Sequence, residues 1–223
     1  MSAFDIATMQ KVVKPLNWRN AMRTQTKNRL LVTIGAAAGG LLDAMFFRAR
    51  KPPVPEGLTI AQVPSFDERI DELWRRVSSQ YQVVVVRNKE YLNWRYVAVP
   101  DTDYLICLAE RAEAVVGYLV LSRKQVDRAR IGIILDVFAE SEEIAQCLVS
   151  EALTRCRQDK LDLLYGARMA GTSLARTFRR SGFVPVPFVK AIRVTGRSVS
   201  PGIAGQLQNP KNWFLQIGDS DET

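Results

Sequence analysis

Histidine is absent from this chain of 223 residues. Its absence excludes a histidine-based catalytic triad, a histidine-ligated metal site and the commonest general acid–base of enzymes. Cysteine is scarce: Cys107, Cys147 and Cys156 are scattered and odd in number, so the sequence predicts neither a disulfide framework nor a zinc site. Such cysteine usage is typical of proteins in the reducing cytoplasm, where we expect this protein to be located.

Acidic residues are rare in the first part of the chain. Residues 1–51 contain nine of the 31 basic residues but only two of the 23 acidic ones, so this segment carries +7 of the net charge of +8. The rest of the chain is nearly neutral, and nucleic acid is therefore not expected as its partner. The apolar content of 47% is ordinary for a protein that buries a core.

One long apolar run covers residues 30–47, between basic residues on both sides. Its length reaches the lower limit for a membrane span, about 18 to 20 residues, but it contains Asp43 and three glycines. The sequence leaves three interpretations open: a packed or interfacial helix, a membrane span, and a helix that connects to another domain. The basic flanks would also favour peripheral contact with an anionic membrane surface.

A proline-rich stretch, KPPVPEG, is typical of a stiff linker and gives the clearest domain boundary. We therefore expect four segments: a basic arm with an apolar helix at 1–51, a linker at 52–57, an α/β domain at 58–197 and a C-terminal tail at 198–223. In an alternative interpretation the arm is the end of a preceding half of similar fold, with MQKVVKPLNW as its closing strand.

Hydrophobic periodicity after Leu58 alternates between strands and helices. DYLICLAE and AVVGYLVLS predict a hairpin, and RIGIILDVFA predicts a buried central strand. The helix that follows begins with Ser141 as its cap and with acidic residues in its first turn. FVPVP and VKAIRVTG predict a final hairpin-like pair. Together these patterns predict the α/β (α+β) class, with a mixed central sheet flanked by helices.

The order of these elements resembles the GNAT superfamily of acyl-CoA N-acyltransferases over residues 58–195. AVVGYLVL (114–121) is similar to a strand motif of that superfamily, IGIILDVFA (131–139) to its central strand, and SGF (181–183) to its closing motif. EYLNWRY (90–96) and the terminal NWFLQIGDSDET resemble GNAT-like proteins found with bacterial polysaccharide and cell-envelope genes.

The resemblance implies that the central strand diverges from its neighbour and takes the pantetheine arm of acetyl-CoA or another acyl-CoA. It also implies an amine acceptor on a small molecule, a sugar or a peptide. The cofactor-binding residues expected from this resemblance are Leu135, Val137, Phe138, Ala139 and Ser141.

Two positions depart from the superfamily pattern. The phosphate-binding loop is replaced by FAESEEIAQ, which has no glycine and carries Glu140, Glu142 and Glu143. Carboxylates at a helix N-terminus stabilise the helix, but we expect them to repel a pyrophosphate. The tyrosine that is thought to protonate the leaving thiolate in that superfamily is replaced by Phe178, which cannot donate a proton.

Three residues remain as candidates for catalysis. Glu110 and Asp136 lie on neighbouring predicted strands and are candidate general bases for an amine. Tyr165, with Tyr118 as an alternative, is the candidate proton donor. Other interpretations are that Glu110 only flanks a hairpin, that Asp136 pairs with an arginine, and that both tyrosines are half-buried strand residues.

Two main functions follow from these patterns. The first is a GNAT-type acyltransferase, because this chemistry needs little more than positioning of the amine and a base. The second is a catalytically degenerate GNAT-like binding or scaffold module, one half of a tandem pair or part of a homo-oligomer. The chain as a membrane-associated anchor is a third interpretation, supported by the charge of the arm and by the apolar run.

Overall fold

The computed structural model describes residues 3–25, 29–46, 52–100, 102, 104–186, 191–197, 207, 209 and 212–220. In chain order its helices and strands are β1 (Ala3–Pro15), α1 (Trp18–Gln25), α2 (Arg29–Phe46), β2 (Leu58–Val63), α3 (Arg69–Val77), β3 (Val83–Val84), α4 (Lys89–Tyr96), β4 (Tyr104–Arg111), β5 (Ala114–Val126), β6 (Ala129–Ala139), α5 (Glu142–Gln158), β7 (Leu163–Met169), α6 (Ser173–Arg180), β8 (Val184–Pro185), β9 (Ile192–Arg197) and β10 (Trp213–Phe214).

A mixed sheet forms the centre of the molecule, with strand order β2-β4-β5-β6-β7-β1-β8 and with β9 also paired to β1. Its strands are antiparallel except for the parallel pair β6–β7. One apolar core fills the face under α5 and α6, and a second fills the face under α3 and α4. The predicted class, a mixed sheet flanked by helices, is confirmed.

Local sequence explains the helix that follows the central strand. Ser141 is the N-cap of α5 and its hydroxyl accepts a hydrogen bond from the Ile144 amide at 3.3 Å. Two glutamates occupy the first turn and two arginines the last, as the helix dipole favours. The predicted cap is therefore confirmed.

The final strands are paired differently from the sequence prediction. In the described parts of FVPVP and VKAIRVTG the two stretches do not pair with each other: β8 and β9 both pair antiparallel with β1. Strand β1 also pairs with β7, from Met9 opposite Met169 to Pro15 opposite Leu163. Residues 3–15 of the basic arm are thus part of the main sheet, while the proposed division of the chain into segments stays a prediction.

The apolar run forms helix α2, which packs in a hairpin against α1. Gly39 of α2 lies against the Trp18 ring, and Gly35 lies against Met22. These glycines bring the two helices close together, because a β-carbon at either position would overlap the facing side chain. Among the described residues, no helix is both long enough and apolar enough to cross a membrane.

Strands β6 and β7 diverge halfway along their length. Their parallel pairing covers only Ile131 to Ile133 on β6, opposite Leu163 to Tyr165 on β7. A bulge follows on β6, since Asp136 lies opposite Val120 while Ile134 lies opposite its neighbour Leu121. The two strands therefore open a wedge beyond Ile133.

We expect Gly117→Ala to destabilise the fold by about 1–3 kcal/mol through overpacking. A β-carbon at Gly117 would lie 2.9 Å from Ala139 Cβ and 3.0 Å from Ile144 Cγ2, both in the core under α5. Urea unfolding measures the change. Gly40→Ala in α2 is the matched control, because a β-carbon there meets no atom within 4 Å. Equal stability of the two variants would contradict this packing.

Candidate functional site

The wedge between β6 and β7 contains a second part of the same chain, residues 212–220, called here the C-terminal segment. Its Gln216 side chain spans the backbone of Val137 on β6. The Val137 amide donates to Gln216 Oε1 at 2.8 Å, and Gln216 Nε2 donates to the Val137 carbonyl at 2.7 Å. This side-chain amide thus takes the place of a neighbouring strand where β7 has moved away.

Asp136, the residue before Val137, is fully buried and heavily hydrogen-bonded. Its carboxylate accepts hydrogen bonds from Gln216 Nε2 at 2.7 Å, from the Tyr118 hydroxyl at 3.0 Å and from Arg87 Nε at 3.1 Å. The Tyr96 hydroxyl lies 3.5 Å from the same carboxylate. The interpretation that Asp136 pairs with an arginine is therefore confirmed.

Arg87 connects this carboxylate to the C-terminal segment. It has no exposed side-chain surface, and its second terminal nitrogen donates to both Asp219 oxygens, at 2.9 and 2.8 Å. Its first terminal nitrogen donates to the Val85 carbonyl at 2.8 Å, and its guanidinium lies 4.8 Å from the centre of the Phe214 ring. One buried cation is thus shared by two carboxylates.

The N-terminal cap of helix α4 positions Arg87 at the start of this helix. Asn88 accepts a hydrogen bond from the Tyr91 amide at 2.9 Å, so the helix begins directly after Arg87. At the other end of α4, Arg95 donates to the carbonyls of Gly218 at 3.1 Å and Ser220 at 2.9 Å. Both ends of the helix therefore hold the C-terminal segment.

Glycine is required at position 218 of this segment. A β-carbon there would overlap the Tyr96 hydroxyl and lie 3.2 Å from the Leu135 carbonyl. The bulge at Leu135 and the ring of Tyr96 thus define a narrow space that only a bare backbone fits. The motifs EYLNWRY and NWFLQIGDSDET, which are at least 116 positions apart in the sequence, meet at this point.

Burial dominates the electrostatics of the site. It raises the pKa of Asp136 above the usual range of aspartate, although Arg87 and the Tyr118 hydroxyl oppose the shift. It also raises the pKa of Tyr118 and of Tyr96, so that both hydroxyls keep their protons. For Arg87 the attraction of Asp136 and Asp219 outweighs its own burial, and its pKa is raised as well.

The cofactor-binding residues predicted from the resemblance lie in the second half of β6 and at the cap of α5. Leu135, Val137 and Phe138 are buried, and only the Val137 backbone contacts the C-terminal segment through hydrogen bonds. Ala139 is half-buried at the end of β6. The Ser141 hydroxyl is engaged as the cap of α5.

Arginines surround the acidic loop at the start of α5. Glu140 pairs with Arg76 at 2.6 Å and lies 3.9 Å from Arg111. Glu142 pairs with Arg176 and Arg180, each at 2.8 Å. The repulsion of a pyrophosphate predicted from the three glutamates is therefore offset by the charge of four nearby arginines.

The three candidate catalytic residues are not brought together. Ile106 on β4 lies level with Asp136, on the other side of β5. Glu110 lies four residues further along β4 than Ile106, a distance of about 13 Å along the strand. Glu110 pairs instead with Arg69 at 2.8 Å. Tyr165 lies at the last β6–β7 pair, opposite Ile133, about 10 Å along β6 from Asp136.

Phe178 is a core residue of α6, packed against Phe183 at 4.8 Å between ring centres. Its ring lies over Gly166 of β7, where a β-carbon would come within 2.7 Å of it. The ring belongs to the core under α5 and α6, whereas Tyr118 belongs to the core on the other face. The position at which the resemblance implies a tyrosine is thus a buried phenylalanine of the core, which offers no proton.

A cavity of about 270 Å³ lies beside the C-terminal segment. Its walls come from the end of β7, the first turn of α6, Tyr81 and the aromatic part of the segment, Trp213 and Phe214. The cavity therefore continues the wedge on the β7 side, where the segment leaves space. Among the described residues, no group of three or more cysteines or carboxylates is placed to hold a metal ion.

Sequence reasoning missed three residues of this site: Arg87, Gln216 and Asp219. Gln216 and Asp219 lie inside the NWFLQIGDSDET motif and Arg87 lies three residues before EYLNWRY, so the two motifs carried a signal for this region. Nothing in the sequence indicated the role of each of these residues. Of the aromatic residues in the helix motif, Tyr96 is buried, Tyr91 is half-buried and Trp94 is exposed.

We expect Arg87→Met to destabilise the protein by about 3–5 kcal/mol, because it leaves two buried carboxylates without their counter-charge. Arg75→Met is the matched control, since Arg75 is exposed and its ion pair with Glu72 has the long distance of 3.9 Å. This control variant should change the free energy of unfolding little. Thermal and urea unfolding measure both. A stability of Arg87→Met equal to that of the control would show that the shared cation contributes nothing.

No protein-family model matches this sequence, and no curated protein is significantly similar to it. Solved structures do match. A GCN5-related N-acetyltransferase from Anabaena variabilis superposes with a TM-score of 0.51 at 9% identity, over 87% of this chain and 40% of that one. A tandem GNAT protein from the clavulanic acid biosynthesis pathway superposes with a TM-score of 0.51 at 14% identity, over 87% of this chain and 55% of that one.

The present chain thus spans 40% of the length of the Anabaena variabilis protein and 55% of the length of the tandem GNAT protein. The superposed 87% is more than residues 58–197 alone provide, so it includes part of the basic arm. At these identities the likeness concerns the fold and leaves the activity open. The sheet order, the divergence of β6 from β7 and these superpositions show that the chain has the GNAT fold.

Proposed function

We propose that this domain is a GNAT-type N-acyltransferase that moves an acetyl or other acyl group from an acyl-CoA to an amine. The observation that carries the proposal is the backbone of Val137 at the open side of β6. Its amide and carbonyl point into the wedge and are matched by one amide group, that of Gln216. An amide of the pantetheine arm offers the same donor and acceptor to this backbone.

The wedge would hold acyl-CoA through groups that need no particular side chain. The Val137 amide is a fixed donor that could polarise a thioester carbonyl once Gln216 has left it. At the other end of the wedge, Arg176 and Arg180 are exposed beside the start of α5 and would be available to phosphates. These groups support binding of acetyl-CoA or another acyl-CoA as the acyl donor.

Acyl-CoA and the C-terminal segment compete for the same backbone in this proposal. Binding of the donor therefore requires residues 212–220 to leave the wedge, and the apparent affinity falls with the fraction of molecules in which the segment is docked. Departure of the segment removes Gln216 and Asp219 from the network. Asp136 then keeps Arg87 and Tyr118 as partners and becomes accessible to an amine.

Asp136 and Tyr118 are the pair that we propose for proton transfer. The Asp136 carboxylate directly precedes Val137 on β6, so once the segment has left it is placed to accept a proton from an amine held in the wedge. Tyr118 keeps its proton, touches the same carboxylate and could donate to the leaving thiolate. Its contact with Asp136 favours it over Tyr165, and the distance of Glu110 makes that residue a weaker candidate for the base.

The acceptor in this proposal is an amine of a small molecule, a sugar or a peptide. The cavity beside Trp213 and Phe214 opens next to the wedge and offers these two rings and that of Tyr81 to such a molecule. A homo-oligomer or a second GNAT-like half remains part of the proposal, because the chain spans 55% of the tandem GNAT protein.

A second candidate function is a binding or scaffold module without catalysis. It is favoured by the complete hydrogen bonding of Val137 and Asp136 within the chain itself. In a module of this kind the segment is a permanent strand substitute that stabilises the sheet where β7 diverges. The two functions differ in whether the wedge accepts acyl-CoA.

We expect Gln216→Ala to bind acetyl-CoA more tightly than the unchanged protein, because the variant no longer holds the Val137 backbone against the donor. Isothermal titration calorimetry measures both affinities. Gln125→Ala is the matched control: Gln125 lies in the exposed β5–β6 hairpin and donates to the Asp127 carbonyl. An absence of binding by all three proteins up to about millimolar cofactor, the upper end of common KM values, would reject the enzyme in favour of the module.

We expect Tyr118→Phe to lower kcat by a factor of about 10² to 10⁴ while acetyl-CoA affinity stays within a few-fold, since only the proton donor is lost. Release of CoA thiol with a panel of primary amines measures the rate. Tyr104→Phe on β4 is the control for removal of a tyrosine hydroxyl in the same core. Unchanged turnover of Tyr118→Phe would exclude this hydroxyl as the acid.

A further inference from the structure

The outer face of α2 is an exposed aliphatic surface at one side of the molecule. Gly35, Gly39 and Val32 define the inner face, which packs on α1. Residues on the opposite side of a helix recur every three or four positions. Those positions hold Leu30, Ile34 and Leu41, which are 67%, 57% and 62% exposed.

This surface is a straight stripe of aliphatic side chains along the helix. Leu30, Ile34, Ala37 and Leu41 follow each other at the i, i+4, i+7 and i+11 positions, a stripe about 16 Å long. Leu31 and Ala38 widen the stripe on one side. In water a contiguous aliphatic surface of this kind marks a site of contact with another apolar phase or molecule.

Positive charge accompanies the stripe. Arg29 is exposed and directly precedes Leu30, and Arg19 and Arg23 are exposed one turn apart on the neighbouring helix α1. The sequence has no acidic residue between Asp5 and Asp43. The hairpin of α1 and α2 therefore offers aliphatic side chains together with three exposed cations, against one acidic residue, Asp43, in its sequence.

We propose that α2 lies in the surface of an anionic phospholipid bilayer, with Leu30, Ile34 and Leu41 inserted among the acyl chains. The arginines of the hairpin would then contact phosphate and other anionic headgroups. This arrangement is that of a helix in the plane of the interface, which needs an apolar face and cations but not the length of a span. No helix among the described residues has the length and hydropathy of a span.

Charge complementarity distinguishes a bilayer from a second copy of this chain. A symmetric dimer through the same face would cover the stripe, but α1 packs on the opposite side of α2, so Arg19 and Arg23 would lie outside the interface and gain no counter-charge from the partner. An anionic bilayer neutralises the arginines and covers the aliphatic stripe at the same time. The inference does not depend on acyl transfer, since none of these residues lies in the wedge.

Co-sedimentation of the full-length protein with vesicles tests the proposal. We expect binding to phosphatidylcholine vesicles that contain about one third phosphatidylglycerol, and at least about tenfold weaker binding to pure phosphatidylcholine. Raising the salt from about 0.1 M to about 0.5 M should weaken the binding, because the shorter Debye length screens the arginines.

Ile34→Glu should lower the vesicle affinity at least about tenfold, because it places a charge in the centre of the stripe. The double variant Arg23→Gln/Arg29→Gln should lower the affinity for anionic vesicles and leave the affinity for pure phosphatidylcholine vesicles unchanged. Val126→Glu is the matched control, since Val126 is an exposed aliphatic residue at the end of β5, and it should bind as the unchanged protein does. Circular dichroism and thermal unfolding confirm that each variant is folded.

Three results would overturn the proposal. One is an absence of sedimentation with anionic vesicles, and another is equal binding of Ile34→Glu and the unchanged protein. The third is a dimer in light scattering that Ile34→Glu dissociates, which would assign the stripe to a second copy of the chain. Binding that survives in pure phosphatidylcholine at full strength would contradict the role of the arginines.

Discussion

The buried guanidinium of Arg87, held between Asp136 and Asp219, is the contact on which the arrangement of this site depends. An arginine can be buried this deeply only when carboxylates and carbonyls replace the water it loses. Asp136 belongs to the central strand and Asp219 to the C-terminal segment, so their common cation fixes the segment to the sheet. The contacts of Gln216, Gly218 and Arg95 follow from the position that this ion pair network imposes.

A diverging parallel pair creates the need for such a segment. Beyond Ile133 the backbone of β6 has lost β7 as its neighbour, and buried amide and carbonyl groups must find other partners. Gln216 supplies both for Val137 with one side chain. In the proposed function an amide of the acyl donor would take over the same backbone, so the stability of the free protein and the affinity for the donor would be set by one competition.

The basic arm contributes to the sheet and to the surface in different ways. Strand β1 completes the sheet beside β7 and provides the edge on which β8 and β9 pair, whereas α1 and α2 stand outside both cores apart from a few contacts. Sequence patterns predicted the helix at 30–47 and the closing strands correctly as elements. They could not predict that β8 and β9 pair with β1 rather than with each other, because strand partners far apart in sequence leave no local trace.

The sequence by itself determined helices α2 and α5, the central hairpin, the Ser141 cap and the mixed α/β class, because periodicity and capping are set by residues a few positions apart. It did not indicate helix α1. It also indicated Asp136 and the EYLNWRY and GDSD motifs as unusual. Only the tertiary structure decided that these belong to one network, since Arg87 is 49 residues from Asp136 and 132 from Asp219. It likewise decided that Glu110 lies far from Asp136, and that arginines from three other elements offset the acidic loop, because such distances arise from packing between elements.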